Sequence, residues 1–397
     1  MKIKNVVIIN DFNYIQGGAS KVAIDTAKLL KKEGINVYFF SAVSKQEENI
    51  EGITYITTNQ DEALKEKNKL KGFINGIYNN KAKKELKKLL LTLDKKDTII
   101  HVHGWTKALS SSVFDVAFKM NFKVVLTLHD YFTACPNGGY FDYKENKICK
   151  RKPLSWKCIK CNCDSRNYIF KLYRILRQFV QNKIVKLNDR LEYAVGISDL
   201  SIEILKPTLN KNVHIKKIYN PIEIEEVKEN IDFRKNNYYL YVGRISKEKG
   251  VDVFCKAITE LDAKGIVVGD GSEKNKLEKE YPNIEFTGWK EKEEVKEYMK
   301  KAKCLIFPSL WYETAGLTIL EALSLEIPVI VADTCAGKEF VDESLLFKTN
   351  DIIDLKEKIK SVDTIFLKNK YKKFEKNIIE MKQEKYVSEL LNYFKCT

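Results

Sequence analysis

Short runs rich in Val, Ile and Phe alternate along the chain with longer stretches whose apolar positions return every third or fourth residue. The first pattern predicts buried strands and the second predicts helices that cover them, so the fold class expected is α/β with parallel sheets. In the N-terminal half the strands predicted are KNVVIIN, INVYFF, TIIHVH, KVVLTLH and AVGISD. A helix, KVAIDTAKLLKKEG, follows the first strand, and two Lys-rich helical stretches follow the second. An irregular insert is expected over about 132–165. Residues 222–237, IEIEEVKENIDFRKNN, lack a compact apolar face and read as a linker. A second alternating series then runs through YYLYVGR, GIVVGDG, IEFTGW, CLIFPS and PVIVADT. The pattern therefore divides into an N-terminal domain over 1–221, a C-terminal domain over 238–375 and a final amphipathic helix within 376–397 that could dock on either domain. Two open α/β domains in series predict a ligand held in a cleft between the carboxyl ends of their strands.

Composition changes this picture in three ways. The 397 residues, 44% of them hydrophobic, suffice for two cores, and no apolar run approaches the roughly 18 residues of a membrane span. The opening MKIKNVVIINDF has no signal-peptide pattern, so a cytoplasmic protein is expected, with attachment to the inner membrane face left open. The formal net charge of +15 lies entirely in residues 1–210, which hold 36 basic and 21 acidic side chains. Either this half carries a lysine-rich solvated surface, or it faces something anionic such as lipid, a phosphorylated acceptor or nucleic acid. Five of the nine cysteines, Cys135, Cys149, Cys158, Cys161 and Cys163, cluster in the insert, which in a cytosolic chain reads as metal ligands; Cys255, Cys304, Cys335 and Cys396 read as core filler.

The chemistry concentrates in SLWYETAGLTILEAL, residues 309–323. Thr314 is a suitable N-cap for a helix beginning near Ala315, with Gly316 and Leu317 in its first turn. Glu313 then stands at the mouth and Glu321 two turns inside, roughly 8 to 12 Å apart along the axis. Between them lie the free N–H groups of a helix start, an anion site. Acid, anion site, acid is a layout for a nucleoside diphosphate sugar, with carboxylates accepting paired bonds from sugar and ribose hydroxyls. GRISKEKG offers a second anion site through the Arg244 fork and the Lys249 ammonium. At the carboxyl ends of predicted strands in the other half stand Gly17 and Gly18, and the histidines His101, His103 and His129.

These motifs, in this order, resemble the retaining glycosyltransferases of family 4, with their GT-B architecture of two Rossmann-like domains facing across a cleft. The resemblance rests on GGAS, HVHG, TLHD, GISD, YNPI, GRISKEKG, VVGDGSE, ETAGLTILE and AGKEFV, and so spans nearly the whole chain. It implies that Glu313 and the backbone through Thr314, Ala315, Gly316 and Leu317 touch the donor sugar and that Glu321 binds the ribose. It also implies that Arg244 and Lys249 hold the diphosphate, that the base lies near Gly288 and Trp289, and that Gly17 and Gly18 line the donor phosphate and acceptor side. His129 is placed at the reacting sugar, with His101, His103 and Asp130 as acceptor-side candidates. Two departures, Ala336-Gly337 in place of paired glycines and the glycine-poor ESLLFKTND, bear on the choice of base and donor.

The expected reaction moves a sugar from a nucleotide-sugar donor, UDP-linked by preference and GDP-linked otherwise, to a glycan or lipid-linked acceptor, with retention at the anomeric carbon, as in bacterial surface polysaccharide synthesis. Developing charge on the leaving diphosphate would be met by fixed cations, with no catalytic metal or cofactor required. Alternatives are a GT-B epimerase or free-disaccharide synthase, and a basic zinc-containing nucleic-acid binder; nucleic acid is not expected as a partner. A structural zinc on Cys135, Cys149, Cys158 and Cys163, with Cys161 as substitute ligand, is expected to order the insert. Finally, YIFKLYRILRQFVQNKIVKL places Ile169, Tyr173, Leu176, Val180, Ile184 and Leu187 at helical spacing among basic residues. That helix either covers the sheet or presents a basic surface to an anionic membrane.

Overall fold

The computed structural model describes residues 3–222, 232–368 and 379–397, in two compact units. Met1–Gly139, Lys150–Pro221 and Gln383–Thr397 make the first; Tyr140–Cys149 and Ile222–Lys382 make the second. Most of the expected linker, 223–231, lies outside the described residues.

The first unit strings β1 (Asn5–Ile9), α1 (Gly18–Lys32), β2 (Asn36–Ser41), β3 (Thr54–Thr57), α2 (Lys69–Ile77), α3 (Asn80–Leu90), β4 (Thr98–Val102), α4 (Ser112–Lys119) and β5 (Lys123–Leu128). A two-stranded hairpin, β6 (Phe141–Asp142) and β7 (Lys147–Ile148), groups with the second unit. The first unit resumes with α5 (Trp156–Lys160), α6 (Tyr168–Phe179), α7 (Leu187–Arg190), β8 (Tyr193–Gly196), α8 (Asp199–Leu205) and β9 (His214–Lys217). Its seven strands pair in parallel in the order β3-β2-β1-β4-β5-β8-β9. Strands buried on both faces read as unbroken apolar runs, and Val6 to Ile9 are fully buried.

The second unit contains β10 (Tyr238–Val242), α9 (Val251–Glu260), β11 (Lys264–Val268), α10 (Lys274–Glu280), β12 (Ile284–Gly288), α11 (Lys292–Lys300), β13 (Cys304–Phe307), α12 (Leu317–Ser324), β14 (Val329–Ala332), β15 (Leu346–Phe347) and α13 (Ile352–Lys368). Its parallel sheet runs β12-β11-β10-β13-β14-β15. The final helix, α14 (Gln383–Cys396), returns to the first unit. Tyr386, Leu390 and Phe394 enter the core formed by α1 and the sheet, and Tyr386 Oη and Thr26 Oγ1 share a 2.7 Å hydrogen bond.

In both sheets the winding direction reverses beside the first strand, between β1 and β4 and between β10 and β13. At such a reversal the two flanking loops diverge above the carboxyl ends of the strands and leave a crevice. The loops after β1 and β4, and those after β10 and β13, carry most of the candidate residues.

Three of the four scattered cysteines are buried as filler, but Cys396 is exposed. Of the expected zinc ligands, Cys135, Cys149, Cys158 and Cys163 are buried and the substitute Cys161 is half-buried. Among the described residues no three His, Cys, Asp or Glu side chains stand close enough to hold a metal ion. Instead the fully buried Lys171 places Nζ 3.6 Å from Cys158 Sγ. Burial opposes its charge, while Cys163, Cys158 and Cys135 outweigh that and raise its pKa.

Candidate active site

On the second unit's carboxyl edge, β10 gives way to Gly243 and the chain turns sharply through Arg244 to Gly250. Gly250 adopts φ 64°, and a Cβ there would strike the Pro308 carbonyl, so this loop lies directly against the end of β13. Leu310 N donates to Glu248 O at 2.9 Å and locks the two loops together. The Glu248 side chain is buried; it accepts from Ser246 Oγ at 2.8 Å and pairs with Arg244, whose own side chain stays 61% exposed. A carboxylate inside the turn thus holds a guanidinium out over the strand ends.

Lys249 and Glu313 form a half-buried ion pair, and Trp311 Nε1 also donates to Glu313 Oε2 at 3.0 Å. The Lys249 ammonium lies 5.1 Å from the centre of the Trp311 ring, a cation–π contact that fixes its stem. The Glu313 backbone bridges to Cys335, and Ala336 N donates to Glu313 O at 2.9 Å. One acid is therefore anchored by its main chain on one side and by two donors on its carboxylate.

The helix start differs from expectation. α12 begins at Leu317, not near Ala315, and its N-cap is Gly316 with φ 73° rather than Thr314. A left-handed residue at this point suits glycine, which has no side chain with which to cap the helix. Glu321 consequently lies just over one turn inside, about 6 Å beyond Leu317 along the axis. It is half-buried, as its place in an apolar run required. At the outer strand of this sheet Gly288 has φ 75° and Trp289 is 67% exposed.

On the first unit's carboxyl edge, buried Asp11 accepts from the backbone N–H groups of Lys107, Ala108 and Leu109, each at 2.9 Å, and so ties the loop after β1 to that after β4. Gly17, with φ 144°, is the N-cap of α1, and a Cβ there would meet no atom within 4 Å. The three strand-end histidines form a line. Thr127 Oγ1 lies 2.7 Å from His101 Nε2, His101 Nδ1 lies 3.3 Å from His103 Nε2, and His103 Nδ1 lies 2.9 Å from His129 Nε2. A neutral imidazole has one donor and one acceptor nitrogen, so a line of three must run in a single direction, and the tautomer of each ring dictates that of the next. Burial, reinforced by neighbouring rings, pushes His101 down to about 3 and His103 well below its ordinary value; burial pushes the half-buried His129 down to about 3. All three are neutral near pH 7.

Asp130 is half-buried, and burial raises its pKa to about 6. Close by, the buried Arg177 spans Thr106 O and Pro136 O, both at 3.1 Å, with its charge over the Phe132 ring. Burial lowers its pKa to about 10.

Each unit thus brings its own candidates together: Arg244, Lys249, Glu313, Gly316 and Glu321 in one, His101, His103, His129 and Asp130 in the other. Sequence reasoning passed over Asp11, Glu248 and Trp311. Asp11 had a signal, since a polar residue directly after a buried strand at a winding reversal sits where loops must be tied. Glu248, between two lysines in KEK, reads as surface charge, and only the turn's geometry buries it.

Residues 223–381 match the family described as Glycosyl transferases group 1. The chain is 32% identical over 181 residues to an uncharacterized glycosyltransferase, MJ1178, of Methanocaldococcus jannaschii, covering 42% of this chain and 50% of that one. The chain thus spans half the length of this relative. It is 23% identical to the alpha-monoglucosyldiacylglycerol synthase of Acholeplasma laidlawii, covering 71% of this chain and 69% of that one. Among solved structures it is similar to Anabaena Alr3699/HepE in complex with UDP, with a TM-score of 0.66, 15% identity and full coverage of both chains. The architecture is GT-B, two Rossmann-like domains with parallel sheets.

Proposed function

We propose that the protein is a retaining glycosyltransferase that moves a sugar from a nucleotide-sugar donor, UDP-linked by preference, to a glycan or lipid-linked acceptor in surface polysaccharide synthesis. One observation carries the reading. The reversal of the second sheet juxtaposes Arg244 and Lys249 with a glycine-opened helix flanked by Glu313 and Glu321. Cations and helix N–H groups suit a diphosphate, and the flanking carboxylates suit the hydroxyls of sugar and ribose. The UDP-bound neighbour and the alpha-monoglucosyldiacylglycerol synthase support the donor and acceptor classes, as do two uncharacterized proteins in the cps region of Klebsiella pneumoniae, to which the chain is 27% and 23% identical.

In this reading Glu313 contacts the donor sugar and Glu321 the ribose, while the exposed Trp289 beside Gly288 offers a face for the base. The Glu248-held Arg244 and the Trp311-braced Lys249 meet the charge that grows on the departing diphosphate. Both cations are positioned by fixed partners before the donor arrives, so little reorganisation accompanies bond breaking. His129 acts at the sugar as a neutral imidazole, which accepts or donates a hydrogen bond without repelling the positive charge of an oxocarbenium-like transition state. Calorimetric titration with UDP, GDP and their common sugar conjugates tests the site. Binding of one nucleotide class that weakens at least about tenfold in Arg244→Ala supports it; equal affinity in the variant removes Arg244 from the diphosphate.

A further inference from the structure

The helix α6 is inside out. Its protein-facing side carries Lys171, Tyr173, Arg177 and Gln178, all buried, and the turn that continues it adds buried Gln181. These polar groups hold the neighbouring loops: Gln178 Nε2 donates to Thr133 O at 3.0 Å, and Gln181 Nε2 to Phe132 O at 3.0 Å. Trp105 Nε1 donates to Gln181 Oε1 at 3.1 Å. The apolar stripe of the same helix, Ile169, Leu172, Leu176 and Phe179, therefore points outward, exposed by 77, 43, 42 and 49%. The sheet-covering reading of this helix fails for these residues, since Tyr173 is buried and Ile169 is not.

The stripe does not stand alone. α2 packs beside α6, with the Phe73 and Tyr173 rings 5.2 Å apart and Gly76 allowing the Tyr173 hydroxyl to approach its backbone. It adds Leu70, Phe73 and Ile74, exposed by 69, 43 and 50%. Tyr168 Oη donates to Ile159 O at 2.9 Å and brings α5 to one end, where Trp156 is exposed. An outward face of this breadth made of Ile, Leu and Phe is what an interfacial segment buries, with Trp and Tyr at its margin.

Charge selects the occupant. Residues 165–188 contain six Lys and Arg and no acid; Lys171 and Arg177 face the protein and Arg174 pairs with Asp164, which leaves Arg166, Lys183 and Lys186 exposed, and residues 67–84 contain six Lys and no acid. Lys67, Lys69, Lys183 and Lys186 are exposed around the apolar stripe. A second copy of the chain would set like charges against like, whereas anionic headgroups would accept the cations while acyl chains receive the leucines and phenylalanines. We propose that the α2–α6 face of the first unit docks on an anionic lipid bilayer, lying in its interface without crossing it. This surface stands independently of the donor-site reading, and it would carry the enzyme to a lipid-linked acceptor.

Vesicle co-sedimentation decides it. The full chain should bind phosphatidylcholine vesicles containing phosphatidylglycerol and bind pure phosphatidylcholine at least about tenfold more weakly. The combined change Ile169→Gln, Leu172→Gln and Phe179→Gln should weaken binding at least about tenfold, as should Lys67→Gln, Lys69→Gln and Lys183→Gln. Both variants should keep the melting temperature and nucleotide affinity of the parent. Emission from Trp156 should shift to the blue on vesicles, a shift absent in Trp156→Phe. No binding, or equal binding to both lipids, overturns the proposal. So does a lipid-free dimer in sedimentation that the apolar variant dissociates, because a second copy then covers the face.

Discussion

Lowering the pH from about 7.5 to about 5 should destabilise the first unit through its line of histidines. A group whose folded pKa lies below its unfolded value near 6.5 is neutral in the fold and protonated on unfolding. It therefore contributes stability above pH 6.5 that is lost as pH falls towards the folded pKa. His101 and His129 stand at about 3 and His103 well below its ordinary value, so the window runs from about pH 6.5 down to about pH 3. At pH 5 each fully buried ring that stays neutral costs about 2 kcal/mol relative to pH 7.5, whatever its folded pKa, provided that it lies well below 5. His101 and His103 together give about 4 kcal/mol, and the half-buried His129 adds a smaller share. Asp130 works the other way. Its folded pKa of about 6 against 3.8 makes the fold bind a proton first and returns about 1.4 kcal/mol at pH 5. Burial also raises Asp11, in the same direction. A net loss of about 3 kcal/mol is expected, read from urea midpoints of the first unit's transition. Selective labelling of the imidazoles for NMR tests the cause directly. His101, His103 and His129 should keep neutral shifts and fixed tautomers from pH 8 down to pH 5. A titration of His103 anywhere in that range would refute the reasoning.

Three further outcomes follow from individual contacts. Glu321→Ala should reduce nucleotide-sugar affinity about tenfold with an unchanged melting temperature, as calorimetry will show; unchanged affinity removes it from the ribose. Gly316→Ala places a Cβ at φ 73° against Ile319, and should destabilise the second unit by about 1 to 2 kcal/mol in denaturant titration. Asp11→Ala orphans the N–H groups of Lys107, Ala108 and Leu109, so a loss of about 3 kcal/mol or more is expected in the first unit, measured the same way.

The sheets were legible because strands buried on both faces leave continuous apolar runs, and the ten predicted strands all appear. β3, β9 and β15 of the two large sheets escaped, as did the β6–β7 hairpin inside the insert that was expected to be irregular. Thr54–Thr57 and His214–Lys217 are half-exposed edge strands with polar residues, and Leu346–Phe347 is too short to leave a period. The acid pair was legible because both glutamates lie on one element, where rise per residue fixes their separation. The helix start was misplaced by two residues because Thr314 looks like a cap, whereas the left-handed Gly316 makes the turn. Helix α6 was legible as amphipathic but not as inverted. Periodicity reports that a helix has two faces; which one meets the protein depends on distant carbonyls at Thr106, Thr133 and Pro136, which Gln178 and Arg177 reach only in the fold.

Incubation with nucleotide-sugar conjugates, followed by phosphorus and proton NMR, tests the account at its centre. One conjugate should be consumed with release of its nucleoside diphosphate, the sugar appearing on a glycan or lipid-linked acceptor with its anomeric configuration kept, and Lys249→Ala should abolish this. A protein that neither binds nor consumes any nucleotide sugar, or one that inverts the anomeric centre, would contradict it.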